Sequence, residues 1–516
     1  MPPVPGRAFW GWAGPLLVTL FGAFLRFDRL TVPRAVVWDE TYYVGDAWGI
    51  LRHGVEIQHV ANANSLLAHG STHILAGTQA ELVVHPPLGK IMIAVGEWLF
   101  GLTPFGWRFA VAVIGSASIL MLARIVRRMT GSTLVGCIAG LLMALDGLEL
   151  VLSRTALLDI FVMFWVLAAF GLLIIDRDRT RARVAAAAEA ATAAAAGPHP
   201  PDALFVAGRR PALPGGGPPL GVRWVRAGAG ACLGAAVATK WNGVWYILAF
   251  AGLAIAWDVS ARQAAGFRDR WAGWRRSDAR WLPLWFGLIP AVVYTASWAG
   301  WFATPYGYNR DGAVLNNGHP AGTIASWLAC NQYMLKFGLG LTTADPYQSN
   351  PLGWLVLSRP LALRSICTAP CASGLGTEQE ILAIGTPAVW WAATAAGLFC
   401  LVWWAMRRDW RAGAALLGIA AGWLPWIWFY LHDHRLEYFY YAIVIEPFLI
   451  ITIALCLELI IGPPHASRAR RAAGAIAAGA YLAAALANFA YLYPILTDKV
   501  IPYSAWLSRM WFSNWI

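Results

Sequence analysis

Eleven stretches of this chain are apolar for about the length of a membrane-crossing helix, and that repetition limits the fold more than any other feature. They run over residues 11–30, 107–126, 133–152, 157–175, 225–240, 242–257, 281–302, 387–406, 412–430, 438–461 and 472–492. About 20 apolar residues in a helix cover the roughly 30 Å hydrocarbon layer of a bilayer. Inside that layer every backbone polar group must be paired within the protein, which leaves helices or closed barrels as spanning structures. Uniformly apolar segments of helical length predict an all-α polytopic membrane protein.

The connections supply the second constraint. Arg124, Arg127 and Arg128 follow the second segment, and Arg177, Arg179, Arg181 and Arg183 the fourth. Arg262, Arg268, Arg270, Arg275, Arg276 and Arg280 lie between the sixth and seventh; Arg407, Arg408 and Arg411 follow the eighth; Arg468, Arg470 and Arg471 the tenth. With eleven spans all of these, with Arg7, fall on one side, which the positive-inside rule makes the cytoplasm. The net charge of +12, on a chain with only 13% charged residues, therefore reads as topology and not as nucleic-acid binding. The N-terminus lacks the cleavage site of a signal peptide, so the first segment is expected to remain as an anchor. The expected organisation is a transmembrane module over 1–302, an outer loop over 303–386 and a second transmembrane region over 387–516.

The outer side receives residues 31–106, the loop 303–386 and the C-terminal tail. Residues 91–101 are apolar but too short to span, and read as a helix in the interface or packed on the bundle. The cytoplasmic loop 176–224 holds an Ala run at 185–196 and Gly/Pro-rich sequence to Pro219. With little apolar bulk to bury, it is expected to be disordered. The loop 303–386 is too long for a mere connector. It holds Cys367 and Cys371, which can pair in an oxidising compartment; a zinc site needs two more ligands than they offer. No phosphate-cradling glycine motif, metal-ligand cluster or internal repeat stands out.

Chemistry is sought at the outer ends of the spans. Asp39-Glu40 follows the first segment, with Trp38, Tyr42 and Tyr43 beside it. A charge at mid-bilayer costs about 2.5–3.5 kcal/mol, and less at the interface. The pair reads either as a solvated loop start or as a general base at the membrane surface. Ser153-Arg154-Thr155 with Asp159 lies between spans three and four, Lys240-Trp241-Asn242 between five and six, and His432-Asp433-His434-Arg435 with Glu437 between nine and ten. Asp146 and Glu149, three apart, are expected on one face of span three. Singly, each reads equally as an ion pair holding the bundle. Together, Arg154, Lys240 and Arg435 run against the charge bias, and cations near a carboxylate pair suit an anionic head such as a phosphate.

Six short motifs in order then resemble the protein O-mannosyltransferases. They are Trp38-Asp39-Glu40-Thr41-Tyr42-Tyr43; His85-Pro86-Pro87-Leu88-Gly89-Lys90; Ser153-Arg154-Thr155-Ala156-Leu157-Leu158-Asp159; Pro346-Tyr347-Gln348-Ser349; Gly385-Thr386-Pro387 with Trp390-Trp391; and Tyr438-Phe439-Tyr440-Tyr441 before Pro447-Phe448. The resemblance covers nearly the whole chain and is to the bacterial form, since 303–386 is too short for an inserted MIR domain. It implies a GT-C glycosyltransferase fold with its site on the extracytoplasmic face of the plasma membrane. It also implies a polyprenyl-phosphate mannose donor and a Ser or Thr acceptor on a protein emerging from the Sec translocon. Asp39 carries over as the catalytic acid of the pair, Glu40 as acceptor positioning and Arg154 as the arginine of the third motif. Lys240 and Arg435 join Arg154 as candidate phosphate contacts. His85, Lys90, Asp159 and Tyr347 are further candidates, each in or beside one of these motifs.

The chemistry agrees. A serine hydroxyl is a weak nucleophile and needs a base in reach. The leaving group is a phosphate ester, so cations serve it where a glycoside hydrolase would need a second carboxyl as proton donor. One carboxylate base with basic residues fits a single inverting displacement. No cofactor is called for, and a divalent metal is left open. Two alternatives remain: a GT-C transferase moving another polyprenyl-linked sugar to a lipid or glycan, and a transporter or flippase. The second commonly shows repeat symmetry and broken mid-membrane helices.

Overall fold

The computed structural model describes residues 8–196, 213–319, 321–368 and 376–516. Seven of the eleven expected segments are helices long and apolar enough to cross a membrane by length and composition. In chain order the main helices are α1 (Ala8–Phe27), α2 (Glu40–His53), α3 (Leu88–Phe100), α4 (Pro104–Thr130), α5 (Thr133–Ala144), α6 (Gly147–Leu152), α7 (Asp159–Ala196), α8 (Trp224–Thr239) and α9 (Val244–Ala264). They continue with α10 (Ile289–Ser297), α11 (Thr323–Leu339), α12 (Pro387–Arg407), α13 (Trp410–His432), α14 (Glu446–Ile461) and α15 (Arg468–Leu496). The seven long spans are α4, α7, α9, α12, α13, α14 with the turn before it, and α15. The other four segments fall short singly: α1 and α5 are shorter apolar helices, α8 has 16 residues, and 281–302 is divided into a π turn, α10 and a further short helix.

Local chemistry sets the ends. Thr103 Oγ1 accepts from the Gly106 N–H with Pro104 next to it, a strong start for α4. Gly131, at φ 72°, closes that helix, and the Ser132 hydroxyl caps α5 at once. Span three then breaks. Asp146 accepts from the Leu148 and Glu149 N–H groups at 3.0 and 3.3 Å and so N-caps α6. Asp146 and Glu149 therefore do not share a helix face as expected, because Asp favours a cap over a helix interior. The second Asp146 oxygen accepts from Thr386 N–H and Trp390 Nε1 at 3.0 and 2.9 Å, tying this break to α12.

The loop expected to be disordered from 176 is helical as far as Ala196. Alanine is the best helix former, and α7 supplies the nucleus from which the helix propagates. Val184 and Ala188 also bury a small face against Leu213, Leu220, Ala261 and Phe267. Residues 197–212 lie outside the described part. Residues 91–101 form most of α3, packed on α4 where Gly96 and Gly106 leave no room for a Cβ.

The all-α expectation misses two small antiparallel sheets. One pairs β1 (Ile57–His59) with β2 (Leu75–Ala80); the other orders β3 (Leu361–Thr368), β4 (Thr377–Ala383) and β5 (Ile501–Pro502). The run Leu361-Ala362-Leu363-Arg364 alternates buried and half-buried positions, the signature of a strand with one covered face. Cys367, in β3, is disulfide-bonded, while Cys371 lies outside the described residues. The C-terminal tail closes over this region: Trp506 Nε1 donates to Glu380 at 2.6 Å and Trp515 Nε1 to the Leu357 carbonyl at 2.7 Å.

The two ends of the bundle differ. Arg124 meets the Gly11 carbonyl near the start of α1, whose 20 residues carry the chain about 30 Å before Asp39 follows. At the Gly11 end Arg128 pairs with Asp178 at 2.9 Å, Arg226 with Asp176 at 2.7 Å and Arg411 with Glu458 at 2.8 Å. Arginines from several connections thus gather at one end, and Asp39 lies at the other.

Candidate active site

Asp39 and Glu40 open α2 but face different surroundings. Glu40 is fully buried. Arg108 Nε and Nη2 donate to it at 2.8 and 2.7 Å, and the Ala156 and Val37 N–H groups at 2.9 Å each. A carboxylate has about four acceptor sites. All four are filled from within the protein, so Glu40 fixes the turn that carries Asp39 and does not face an acceptor, contrary to the sequence expectation. Its reach back to the Val37 N–H ties down the turn that precedes α2. Trp38, between them, takes φ 52°, a conformation uncommon outside glycine.

Asp39 makes no capping bond of its own. Its carboxylate accepts instead from the hydroxyls of Tyr440 at 3.1 Å and Tyr43 at 3.3 Å. Burial pushes the Asp39 carboxyl up, with the Lys240 charge and the two phenols acting against it. It is thus a carboxylate with raised basicity, hydrogen-bonded by neutral donors and, among the described residues, bonded to no cation. Lys240 is beside it, at the turn between α8 and α9, and donates to both oxygens of Asp159 at 3.0 and 2.9 Å. Its Nζ lies 4.2 Å from the Tyr441 ring centre.

Next to this group is a cavity of about 170 Å³, lined by His85, Lys240, Trp241, Trp245, Trp426 and Arg435 among others. Three of the sequence candidates therefore share one mostly apolar chamber. Burial, then the charges of Lys240, Lys90 and Arg435, hold the His85 imidazole well below its ordinary range, so it is neutral. Its ring centre is 6.2 Å from that of Tyr43. Arg435 Nε donates to the Gly338 carbonyl at 2.7 Å and Nη1 to that of Leu436 at 3.0 Å, with the guanidinium 5.0 Å from the Trp426 ring centre.

Three candidates stand elsewhere. Both terminal nitrogens of Arg154 are spent on the last turn of α1 and the residues after it: Nη1 donates to the carbonyls of Leu25, Arg26 and Asp28, and Nη2 to that of Arg29. Carbonyls at and just past a helix C-terminus attract a cation, and the expected two-pronged grip of Arg154 on a phosphate is not what the structure shows. Lys90 is 2.6 Å from Glu56 and 3.5 Å from Asp46, in a buried cluster outside the cavity. Tyr347 does not line the cavity; its ring stands edge-on to Trp38 at 5.7 Å and its side chain is exposed.

Sequence reasoning singled out neither Tyr43 and Tyr440 as site residues nor Arg108. Arg108 had a signal, as a charge early in a long apolar helix. The tyrosines had only their place in aromatic clusters, where one hydroxyl looks like another.

Comparison with known proteins fits this arrangement. Residues 16–184 match the family model for dolichyl-phosphate-mannose-protein mannosyltransferase, and residues 323–515 that for the C-terminal four-transmembrane region of protein O-mannosyltransferase. The polyprenol-phosphate-mannose–protein mannosyltransferase of Mycobacterium tuberculosis is 38% identical over 98% of this chain and 92% of its own. The chain belongs to the protein O-mannosyltransferase family. The similarly named protein of Corynebacterium glutamicum is 32% identical over 100% of this chain and 96% of its own. The Saccharomyces cerevisiae Pmt1-Pmt2 complex bound to the sugar donor superposes with a TM-score of 0.73 at 14% identity, covering 99% of this chain and 93% of that one. This protein O-mannosyltransferase family member is accordingly a multi-pass membrane glycosyltransferase with the GT-C fold, as the motifs implied.

Proposed function

We propose that this protein transfers mannose from polyprenyl-phosphate mannose to Ser or Thr hydroxyls of proteins, with Asp39 as base and the donor phosphate in the cavity of His85, Lys240 and Arg435. One observation carries the reading: a carboxylate with no bonded cation among the described residues stands beside Lys240, which with Arg435 lines an apolar chamber. The acceptor hydroxyl gives its proton to Asp39 as its oxygen bonds to C1 of mannose. The C1–O bond to phosphate breaks in the same step, with inversion. Negative charge grows on the departing polyprenyl phosphate, where preorganised cations lower the barrier. The apolar walls suit the first units of a prenyl chain, and Tyr347 and Trp38 stand where an acceptor segment would approach.

The site is read as extracytoplasmic, on the plasma membrane. Arginines gather at the opposite end of the bundle, which the positive-inside rule makes cytoplasmic, and Cys367 of the Asp39 end is in a disulfide. Acceptors emerging from the Sec translocon would meet it there. Purified protein with radiolabelled polyprenyl-phosphate mannose and a Thr-containing peptide tests the reading. Asp39→Asn keeps the shape and removes the base, and should slow transfer about 10²–10⁴-fold. Wild-type turnover by that variant would refute Asp39 as base.

A further inference from the structure

Glu437 borders the cavity's Arg435 and has no evident role in bundle packing. Its side chain is fully buried, and neither carboxylate oxygen makes a hydrogen bond among the described residues. The nearest cation, Arg435 Nη1, is 3.6 Å away, beyond hydrogen-bond reach. Three buried cations near this end of the molecule are matched closely by carboxylates: Lys240 donates to Asp159 at 2.9 Å, Arg108 to Glu40 at 2.7 Å and Lys90 to Glu56 at 2.6 Å. Arg435 instead spends its bonds on neutral carbonyls.

The charge balance of the cavity follows. His85 is neutral, and Lys240 is paired with Asp159. If Glu437 were ionised it would cancel Arg435. With Glu437 neutral, the charge of Arg435 stays uncancelled on the guanidinium best shaped for phosphate oxygens, while Lys240 is shared between Asp159 and Asp39. A buried ionised carboxylate without hydrogen bonds is also costly in itself.

We propose that Glu437 is held as a neutral carboxyl so that Arg435 remains available to the donor phosphate, and that ionisation of Glu437 loosens the grip. Glu437 is a positioning residue acting through Arg435. This rests on the reading of the cavity as the phosphate site. Burial pushes Glu437 up to about 8, against the opposing charges of Arg435 on its own loop and Lys240 from the α8–α9 turn. The bound state favours the protonated form, so affinity is full below that value and falls as pH rises through it. The product, a phosphate monoester with two charges, feels this more than the donor diester with one. Glu437 thereby couples phosphate binding to uptake of one proton.

The test is binding of farnesyl phosphate to the detergent-solubilised full chain. The second ionisation of a phosphate monoester is near pH 6, so above pH 7 the ligand itself contributes little. The wild-type Kd should rise up to about tenfold between pH 7 and pH 9, because one linked proton leaving near pH 8 weakens binding at most about tenfold per pH unit above that point. Glu437→Gln, a neutral isostere, should bind at pH 7 as the wild type does and stay flat to pH 9. Calorimetry in two buffers of different ionisation enthalpy at pH 8.5 should show proton uptake by wild type and none by the variant. A flat wild-type profile, or the same slope in Glu437→Gln, overturns the proposal while the site reading stands. If Arg435→Ala and Lys240→Ala leave the pH 7 affinity unchanged, the cavity is not the phosphate site and both readings fall.

Discussion

In the base role proposed for it, Asp39 has its strength set by burial, which raises its proton affinity above the ordinary 3.8, and by Lys240, Tyr440 and Tyr43, which hold it down. The acid limb of kcat/KM should therefore lie above the usual carboxylate range, with activity lost as pH falls and Asp39 takes up a proton. Tyr440→Phe removes a bond to the ionised form, so proton affinity rises further. The limb should move to higher pH, while the rate on the alkaline side of that limb falls less than for Asp39→Asn. A pH–rate profile of the two proteins checks both points; a limb that stays put would mean that the phenol does not tune the base. The acidic pair, Lys240 and Arg435 were legible because charge beside a membrane is costly and so stands out. The choice of Asp39 over Glu40 came from the resemblance and not from the residues themselves, since the two acids differ in partners such as Arg108, Tyr43 and Tyr440 that lie elsewhere in the chain.

Helix ends govern the next scale. The connector from α1 to α2 has little structure of its own and is held by two arginines from elsewhere. Arg154 takes the carbonyls of Leu25, Arg26, Asp28 and Arg29, while Arg108 takes those of Leu30, Pro33 and Ala35 along with Glu40. Arg154→Ala should therefore lower thermal stability, on the scale of about 1–3 kcal/mol for a buried acceptor left without its donor. The donor KM of the remaining folded protein should change little. Donor titrations matched for folded protein check this, and a large rise in donor KM at unchanged stability would return Arg154 to the phosphate. The spans were legible from apolar length, a one-dimensional property. Arg154 was read as a phosphate contact because it runs against the charge bias and falls in the third motif, whereas the acceptors it meets are carbonyls over 120 residues away in the chain. The helical extension of α7 to Ala196 was misread because composition was weighed without the helix already running into it.

For the whole molecule, the arginine end and the Asp39 end impose one orientation on the bilayer. The C-terminal tail is tied to the 303–386 segment through Trp515 and Leu357, and that segment touches Trp38 through Tyr347. Cysteines introduced at Asp345 and Ser513 should both react with an impermeant thiol reagent on intact cells, and one at Arg268 only after permeabilisation. Opposite labelling of Asp345 and Ser513 would overturn the shared side. The same long-range ties have a consequence in time. The rivet on Glu40 comes from 68 residues further along, and the hydroxyl of Tyr440 meets Asp39 across 401 residues. At about 5–20 residues per second of synthesis, that second gap is roughly 20–80 s. Through that interval the nascent chain has its first span in the bilayer and its carboxylate pair already made, but the wall behind Asp39 is absent. A ribosome stalled before Tyr440 would leave an inert fragment among prenyl-linked sugars, so the reaction centre matures only as the last helices arrive.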